Sequence, residues 1–591
     1  MMSFLKKKLW DRADICASLF LIIYLCFSIF FPLYSDIDNY LISLVTNGVY
    51  SSTENYVIYI HPCLCYIIKC MSFVFPNADN YLLLNELLML IGVWLLSYIS
   101  LNLSHSKLQK LCTQVVLFVL VMYKSSRCFD NFTVTAAFLM CVGMALIAYS
   151  IISNKVYYRW LYLIAIIFIM FGYMWRAEAV LMGMPYFIFM LVICYIIRCD
   201  KCADTCYKQL PAKFVIPFNM HVAKQIFLIG CCVFCCLLPF KLWNKEIQHS
   251  NAYYDGIVYN EARSSLVDYK QTWNSLDEAY VPGGVTYNDA NAAMSMFLAD
   301  TENMTGKRLL EIGAHAVRKT IPLLSLEYFH MLLLSATIFC PSFAAISFFV
   351  FLVIFSSNYK RWQKLAALCV YLSYLCYSTF FITIGRILPR VYSILYYYMF
   401  VVLVTILYVP MVLTTSTDIL KFYFRKGFRI FAVCGIFITM SWRVADGIKN
   451  ITGLQSSFCA KQDNESLAVD WQQGEDLYIW DVRVLDDTLM KDYMNVGKLY
   501  SKDFITHNIP AGEWIYGQPY FYDYLSWSGI GDPLTALLTR EHTYYIGTDD
   551  SLKIALTYVQ EHVSSEYRTV PIQHFEQNGK TYGVWQFVKD W

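Results

Sequence analysis

Apolar runs of membrane-crossing length recur along most of this chain. They restrict its first 445 or so residues to a bundle of helices in a bilayer, where each backbone polar group must be satisfied internally. About 20 apolar residues cover the ~30 Å of hydrocarbon. About eleven runs approach that length, near residues 15–33, 80–101, 110–123, 132–152, 160–174, 179–197, 224–241, 335–356, 365–383, 392–413 and 428–444. Of the 591 residues, 58% are hydrophobic and 15% charged, which excludes an ordinary soluble protein. The net charge of +2 gives no sign of a nucleic-acid partner; the placement of the positive charges is what informs.

Lys6, Lys7 and Lys8 precede the first run and set the N-terminus in the cytoplasm. Alternating orientation then puts Lys107, Lys110, Lys155, Arg159, Arg198, Lys360, Arg361, Lys421 and Arg425 on the same inner side. That is the positive-inside pattern for an odd number of spans, with the C-terminus outside. No small-residue cleavage site follows the first run, so it reads as an anchor. The expected location is a bacterial plasma membrane, crossed many times.

Two external loops, 35–80 and 244–319, are expected within the membrane module 1–445. Residues 446–591 form a third external region, long enough for a small domain. Strand-like runs such as Leu477-Tyr-Ile-Trp-Asp and Tyr582-Gly-Val-Trp-Gln-Phe alternate there with a helix-like run from Ser551. Asn578-Gly579 between two such runs is a hairpin signal. The expected fold is mainly α, a polytopic bundle carrying a small extracytoplasmic α/β domain. Most of the 21 cysteines lie in spans, where they act as small apolar residues. Cys199, Cys202 and Cys206, with His221, have zinc-compatible spacing; reduced cytoplasmic thiols are the simpler account.

Charges at the outer ends of spans carry the chemistry. Four sets fall there: Asp36 with Asp38, Arg127 with Asp130, Arg176 with Glu178, and Arg386 with Arg390. Charge so near hydrocarbon is costly unless paired or functional. Four sets from distant parts of the chain, all on one face, point to a single outward cavity. The plain alternatives are a turn between two spans for Arg176 and Glu178, and headgroup snorkelling for the arginines. Arginine forks match phosphate oxygens bidentately, so Arg386 and Arg390 suit the phosphate of a lipid carrier. His61-Pro62 opens a short apolar helix reaching about Phe75, which suits an interfacial segment.

An acidic pair just after the first span, then a His-Pro junction into an amphipathic helix, resembles the opening of GT-C-type glycosyltransferases. The pattern is most similar to the protein-mannosyltransferase-like family, where Asp-Glu is followed by His-Pro-Pro-Leu. This chain has Asp36-Ile-Asp38 and His61-Pro62-Cys63-Leu64. Ile37 is inserted and the second proline is lost, so either aspartate matches the family's acid. The resemblance covers this motif and the layout of many spans plus an external C-terminal domain.

It implies transfer of a sugar from a polyprenyl-phosphate carrier to a glycan, lipid or protein acceptor at the outer leaflet. Asp36 or Asp38 would be the base, and Arg386 and Arg390, helped by Arg176, would hold the phosphate. His61, Arg127, Asp130 and Glu178 would line or orient the site. No resident metal is assigned and no cofactor is certain. Mg or Mn on Glu178 and Asp130 is compatible with the residues present. Competing readings are a polysaccharide polymerase or ligase, a lipid-sugar transporter or flippase, and a scaffold. Flippases favour midplane sites and internal repeats, neither of which is visible. Ligases favour an arginine-rich external loop, and loop 244–319 has only Arg263, Arg308 and Arg318.

Overall fold

In a computed structural model, described residues comprise 12–28, 37–48, 56–76, 78–104, 131–153, 160–206, 219–335 (less 270, 274–275 and 277–283), 341–356, 360–407, 476–488, 502–577 and 580–590, with scattered positions in 110–117 and 434–438. Asp36, Arg127, Asp130 and the hairpin tip Asn578-Gly579 lie outside them. So do most of the runs expected at 110–123 and 428–444.

The membrane half contains α1 (Ala13–Ser28), α2 (Ile37–Thr46), α3 (Pro62–Val74), α4 (Asn80–Leu103), α5 (Phe132–Ser153), α6 (Trp160–Trp175) and α7 (Ala177–Cys206). After α8 (Met220–Gln248), the chain leaves the apolar region through α9 (Asn251–Val267), strand β1 (Gln271–Trp273), α10 (Tyr287–Met294), α11 (Gly306–Ala314) and β2 (Ala316–Arg318). It returns by α12 (Leu326–Leu334), α13 (Pro341–Ser356), α14 (Arg361–Thr383) and α15 (Pro389–Leu407). Among the described residues six helices are long and apolar enough to cross a membrane: α4, α5, α7, α8, α14 and α15. About eleven spans were expected for the whole chain, two of them in runs lying mostly outside the described residues. The runs near 15–33 and 160–174 become helices of 16 residues each. The run near 335–356 gives α13, and α12, which Ser325 caps by accepting from the Tyr328 amide, is a separate short helix before it.

α5 is the hub of the bundle, buried on almost every side. It packs most tightly on α6, through glycine. A Cβ on Gly143 would meet the Ala165 carbonyl at 2.8 Å, and one on Gly172 would meet the Ala136 carbonyl at 2.7 Å. Small residues let membrane helices approach closely. α8 is the opposite case: Phe227, Leu228, Phe234 and Leu242 are exposed, as residues facing lipid must be.

The C-terminal region runs β3 (Leu477–Trp480), α16 (Val482–Thr488), α17 (Lys502–His507), β4 (Asn508–Pro510), α18 (Pro519–Trp527), α19 (Pro533–Thr539), β5 (Thr543–Gly547), α20 (Asp549–His562), β6 (Tyr567–Gln577) and β7 (Lys580–Lys589). Its sheet has the order β4-β3-β5-β7-β6. β3 is parallel to β4 and β5, whereas β7 is antiparallel to β5 and β6. Gln577 pairs with Lys580, the register of the two-residue hairpin that Asn-Gly signals.

The loop between α8 and α12 is woven into this domain. The Leu298 amide donates to the Ala511 carbonyl at 2.7 Å, and the Leu534 amide to Ala299 at 3.1 Å. Asp532 accepts from the Thr301 amide and hydroxyl. The Tyr558 hydroxyl donates to Asp300 at 3.0 Å. Together they form one polar cap on the helical bundle.

Asp289 is the strongest tie in that cap. It caps its own helix by accepting from the Thr286 amide, and it also meets Arg308 at 3.0 Å and His562 at 2.6 Å. Burial alone would raise its pKa; the His562 contact, the Thr286 amide and Arg308 override this and hold it below the usual carboxylate range. A depressed pKa contributes stability above the unfolded value of about 4, lost as pH falls through the folded value. We expect the protection factors of amides in α20, corrected for intrinsic exchange rates, to fall below about pH 4. Asp289→Asn should already show faster exchange at neutral pH, by about 2–3 kcal/mol of local stability. Equal exchange in the two proteins at neutral pH would disprove the tie.

Candidate functional site

Asp38 lies in the first turn of α2, a helix buried along nearly its whole length. Its carboxylate reaches Arg390 Nη1 at 3.2 Å, across 352 residues of chain. Arg390 lies in the first turn of α15, behind Pro389. Proline suits that position, and the helix dipole adds positive potential there. Of the acidic and arginine sets, Asp38 and Arg390 are therefore in contact.

A second pair lies against the first. Arg263, on α9, is buried and donates through Nη2 to the Tyr59 hydroxyl and to Asn260 Oδ1, both at 3.0 Å. Its Nη1 is 3.7 Å from Glu513 Oε2. Glu513 is buried too, at a φ of +107°. A non-glycine residue in this region stores about 1–3 kcal/mol of strain. The turn is pressed onto the loop: a Cβ on Gly512 would collide with the Met296 carbonyl. Burial pushes the Glu513 carboxyl up to about 7; Arg263 opposes the shift, and Asp38 adds to it. Strained backbone and perturbed buried acids cluster at functional sites, and buried structural ion pairs produce them as well.

Arg176 falls at the one-residue break between α6 and α7, so the turn alternative describes its backbone. Its guanidinium nevertheless lies over the rings of Tyr59 at 4.7 Å and Phe132 at 5.2 Å, and pairs with Glu178 at 2.8 Å. Tyr59 is the common neighbour: burial raises its pKa, and Arg263, Asp38, Arg176 and Glu513 all act on it. Arg386 has a different partner, Asp268 at 3.2 Å. His61 caps α3 by accepting from the Cys63 amide through Nδ1, and its Nε2 contacts the Phe240 carbonyl at 2.8 Å. Both ring nitrogens are thus engaged by backbone, binding α3 to α8.

Sequence reasoning missed Glu513, Arg263 and Asp268 as site residues. Gly-Glu-Trp after a strand-like run is the one local hint for Glu513. Among the described residues Asp289, Glu561 and His562 are placed closely enough to hold a metal ion. Arg308 already neutralises Asp289 there, so the cluster is accounted for as the cap's tie. For the zinc set, Cys199 is buried and His221 exposed; the side chains of Cys202 and Cys206 are outside the described residues.

Asp38, Arg390, Arg263 and Glu513 thus come from four distant segments to one place, where the cap meets the bundle. Two cations there face one carboxylate and one near-neutral carboxyl, an arrangement suited to holding an anion beside a base. Compared with protein-family models, curated proteins and solved structures, the chain matches none.

Proposed function

We propose that the chain is a membrane glycosyltransferase. It moves a sugar from a polyprenyl-phosphate carrier to an acceptor hydroxyl at the outer membrane surface. The observation that carries this reading is the Asp38–Arg390 pair set against the buried Arg263–Glu513 pair. The acceptor oxygen attacks the anomeric carbon, its proton passes to the Asp38 carboxylate, and the carbon–oxygen bond to phosphate breaks. Negative charge gathers on the leaving phosphate, where Arg390 and Arg263 neutralise it in a water-poor setting. The carrier's tail remains in lipid beside α3, where Cys63, Tyr66, Ile67, Cys70, Met71 and Val74 line an open apolar groove of about 430 Å³.

The test uses the purified chain in lipid vesicles with radiolabelled sugar on polyprenyl phosphate. Covalent transfer to an acceptor extract is expected. Movement of the lipid-linked sugar across the vesicle membrane without any covalent product would replace this reading with a flippase.

Glu513 gives the reaction a pH signature. Protonated, it leaves the cluster one unit more positive and better suited to an anionic donor. The apparent KM for donor should therefore rise as pH passes upward through about 7. Glu513→Gln mimics the protonated form and should flatten that limb. An unchanged pH profile in Glu513→Gln would remove Glu513 from the site.

A further inference from the structure

Pro322 to Ser325 form a tight turn, closed by the Ser325 amide donating to the Pro322 carbonyl at 3.2 Å. Leu323 and Leu324 make its tip, and both are exposed. Leu324 holds a φ of +62°, the left-handed conformation that such turns ordinarily give to glycine or asparagine. A leucine there is strained, and at 69% exposure it touches little of the protein that could offset the strain. The turn leads straight into α12, whose Leu326, Phe329 and Leu333 are exposed too. Their spacing puts them on one helical stripe, while Tyr328 on the other face is buried. Two hydrogen bonds set the level of this segment against α14. The Ile321 amide donates to the Thr383 carbonyl at 3.1 Å, and the Tyr328 and Thr379 hydroxyls meet at 2.7 Å. α14 is long and apolar enough to cross a membrane, and Thr383 is its last residue. The α12 stripe therefore lies where the exposed face of α14, with Leu372 and Phe380, comes to its end.

Cations border the same segment. Arg318 and Lys319 stand just before the turn and are exposed. The Arg318 guanidinium lies 4.2 Å from the centre of the Tyr269 ring, and that of Arg386 lies 5.7 Å from the same centre. Asp268 meets Arg386 at 3.2 Å and Glu327 meets Lys319 at 3.9 Å, so three cations face two carboxylates. We propose that residues 318–333 are a lipid-binding foot of the cap. The Leu323–Leu324 turn and the α12 stripe enter the acyl chains of the leaflet the cap faces. Arg318, Lys319 and Arg386 hold the phosphate of an anionic phospholipid above them. An apolar stripe beneath a basic rim is the composition of helices that lie in a membrane surface. Lipid gives Leu324 the burial that water denies it. The occupant is the bilayer itself, because the stripe continues a surface that already faces lipid along α14. The inference does not rest on the transferase reading, in which phospholipid has no part. Through Arg386 and Asp268 the foot is joined to the end of α9, the helix that carries Arg263.

The experiment replaces Leu324 by a diazirine amino acid in the full chain. The protein is held in nanodiscs of equal parts phosphatidylglycerol and phosphatidylcholine, and its photoproducts are identified by mass spectrometry. We expect phospholipid adducts, with phosphatidylglycerol exceeding phosphatidylcholine about fivefold or more, the effect of a single surface cation on an anionic lipid. Arg318→Gln combined with Lys319→Gln should bring the two lipids to near-equal yield at an unchanged melting temperature, since both side chains are exposed. Raising the salt concentration should do the same to the unaltered rim. Equal yields of the two lipids at low salt, or a preference that survives both the double variant and high salt, would overturn the headgroup site. Adducts to a second copy of the chain, or to water alone, would overturn the lipid contact. Displacement of the phospholipid adducts by added polyprenyl phosphate would reassign the foot to the carrier and overturn the proposal as well.

Discussion

On the proposed transferase reading, Asp38→Asn is expected to lower sugar transfer by about 10²–10⁴-fold, the usual contribution of a positioned base. Asparagine keeps the size of the side chain and a hydrogen-bond acceptor for Arg390. It loses the charge that takes the acceptor's proton. The fold should survive, because the Arg390 side chain is 35% exposed and water can solvate it once its partner is neutral. Rate and melting temperature should therefore part company: the first collapses, the second hardly moves. Asp36 is the internal comparison, since either aspartate suits the sequence motif. Full activity in Asp38→Asn with loss in Asp36→Asn would hand the role to Asp36. Full activity in both would end the transferase mechanism as drawn.

Arg263→Met carries the largest expected cost in stability, about 3–5 kcal/mol, the range for breaking a buried ion pair from one side. The substitution strips partners from Tyr59 and Asn260 and leaves Glu513 without its cation. The sign of the pH dependence follows from Glu513. A carboxyl whose folded pKa is raised contributes stability that is full below its unfolded value, and loses it as pH rises through the folded value. Wild type should thus lose some cap stability between about pH 4.5 and 7. In Arg263→Met the opposing cation is gone, so the loss should be steeper and reach higher pH. Hydrogen exchange across residues 511–524 is the readout. Wild-type protection at pH 8 in this variant would mean that the pair does not hold the cap.

Charge placement made part of the site legible. Asp38 and Arg390 each follow an apolar run, and a charge at such a boundary stands out against its background. The hairpin that pairs Gln577 with Lys580 was legible because an Asn-Gly dipeptide specifies a turn chemically. Arg263 and Glu513 gave no such contrast. Each falls in a polar stretch where charge is ordinary, and they meet only because the loop after α8 interlocks with the C-terminal sheet through contacts such as Leu298 to Ala511. The partner of Arg386 was not legible: Asp268 at the end of α9 meets it at 3.2 Å, from a polar stretch where an acid does not stand out. Six of the expected runs are long apolar helices among the described residues, and two others lie mostly outside them. α6, at 16 residues, is apolar but stops at Trp175, where Arg176 begins the next corner.

The distance along the chain between Asp38 and Arg390 has a consequence for biogenesis. At ribosomal speeds of about 5–20 residues per second, the 352 residues between them take roughly 20–70 s to make. Throughout that interval the growing protein carries an acid at the membrane boundary whose cation has not been synthesised. Glu513 arrives later still. A chain stalled or cut anywhere before α15 therefore lacks the Arg390 partner of Asp38 and has at most Arg263 near that acid.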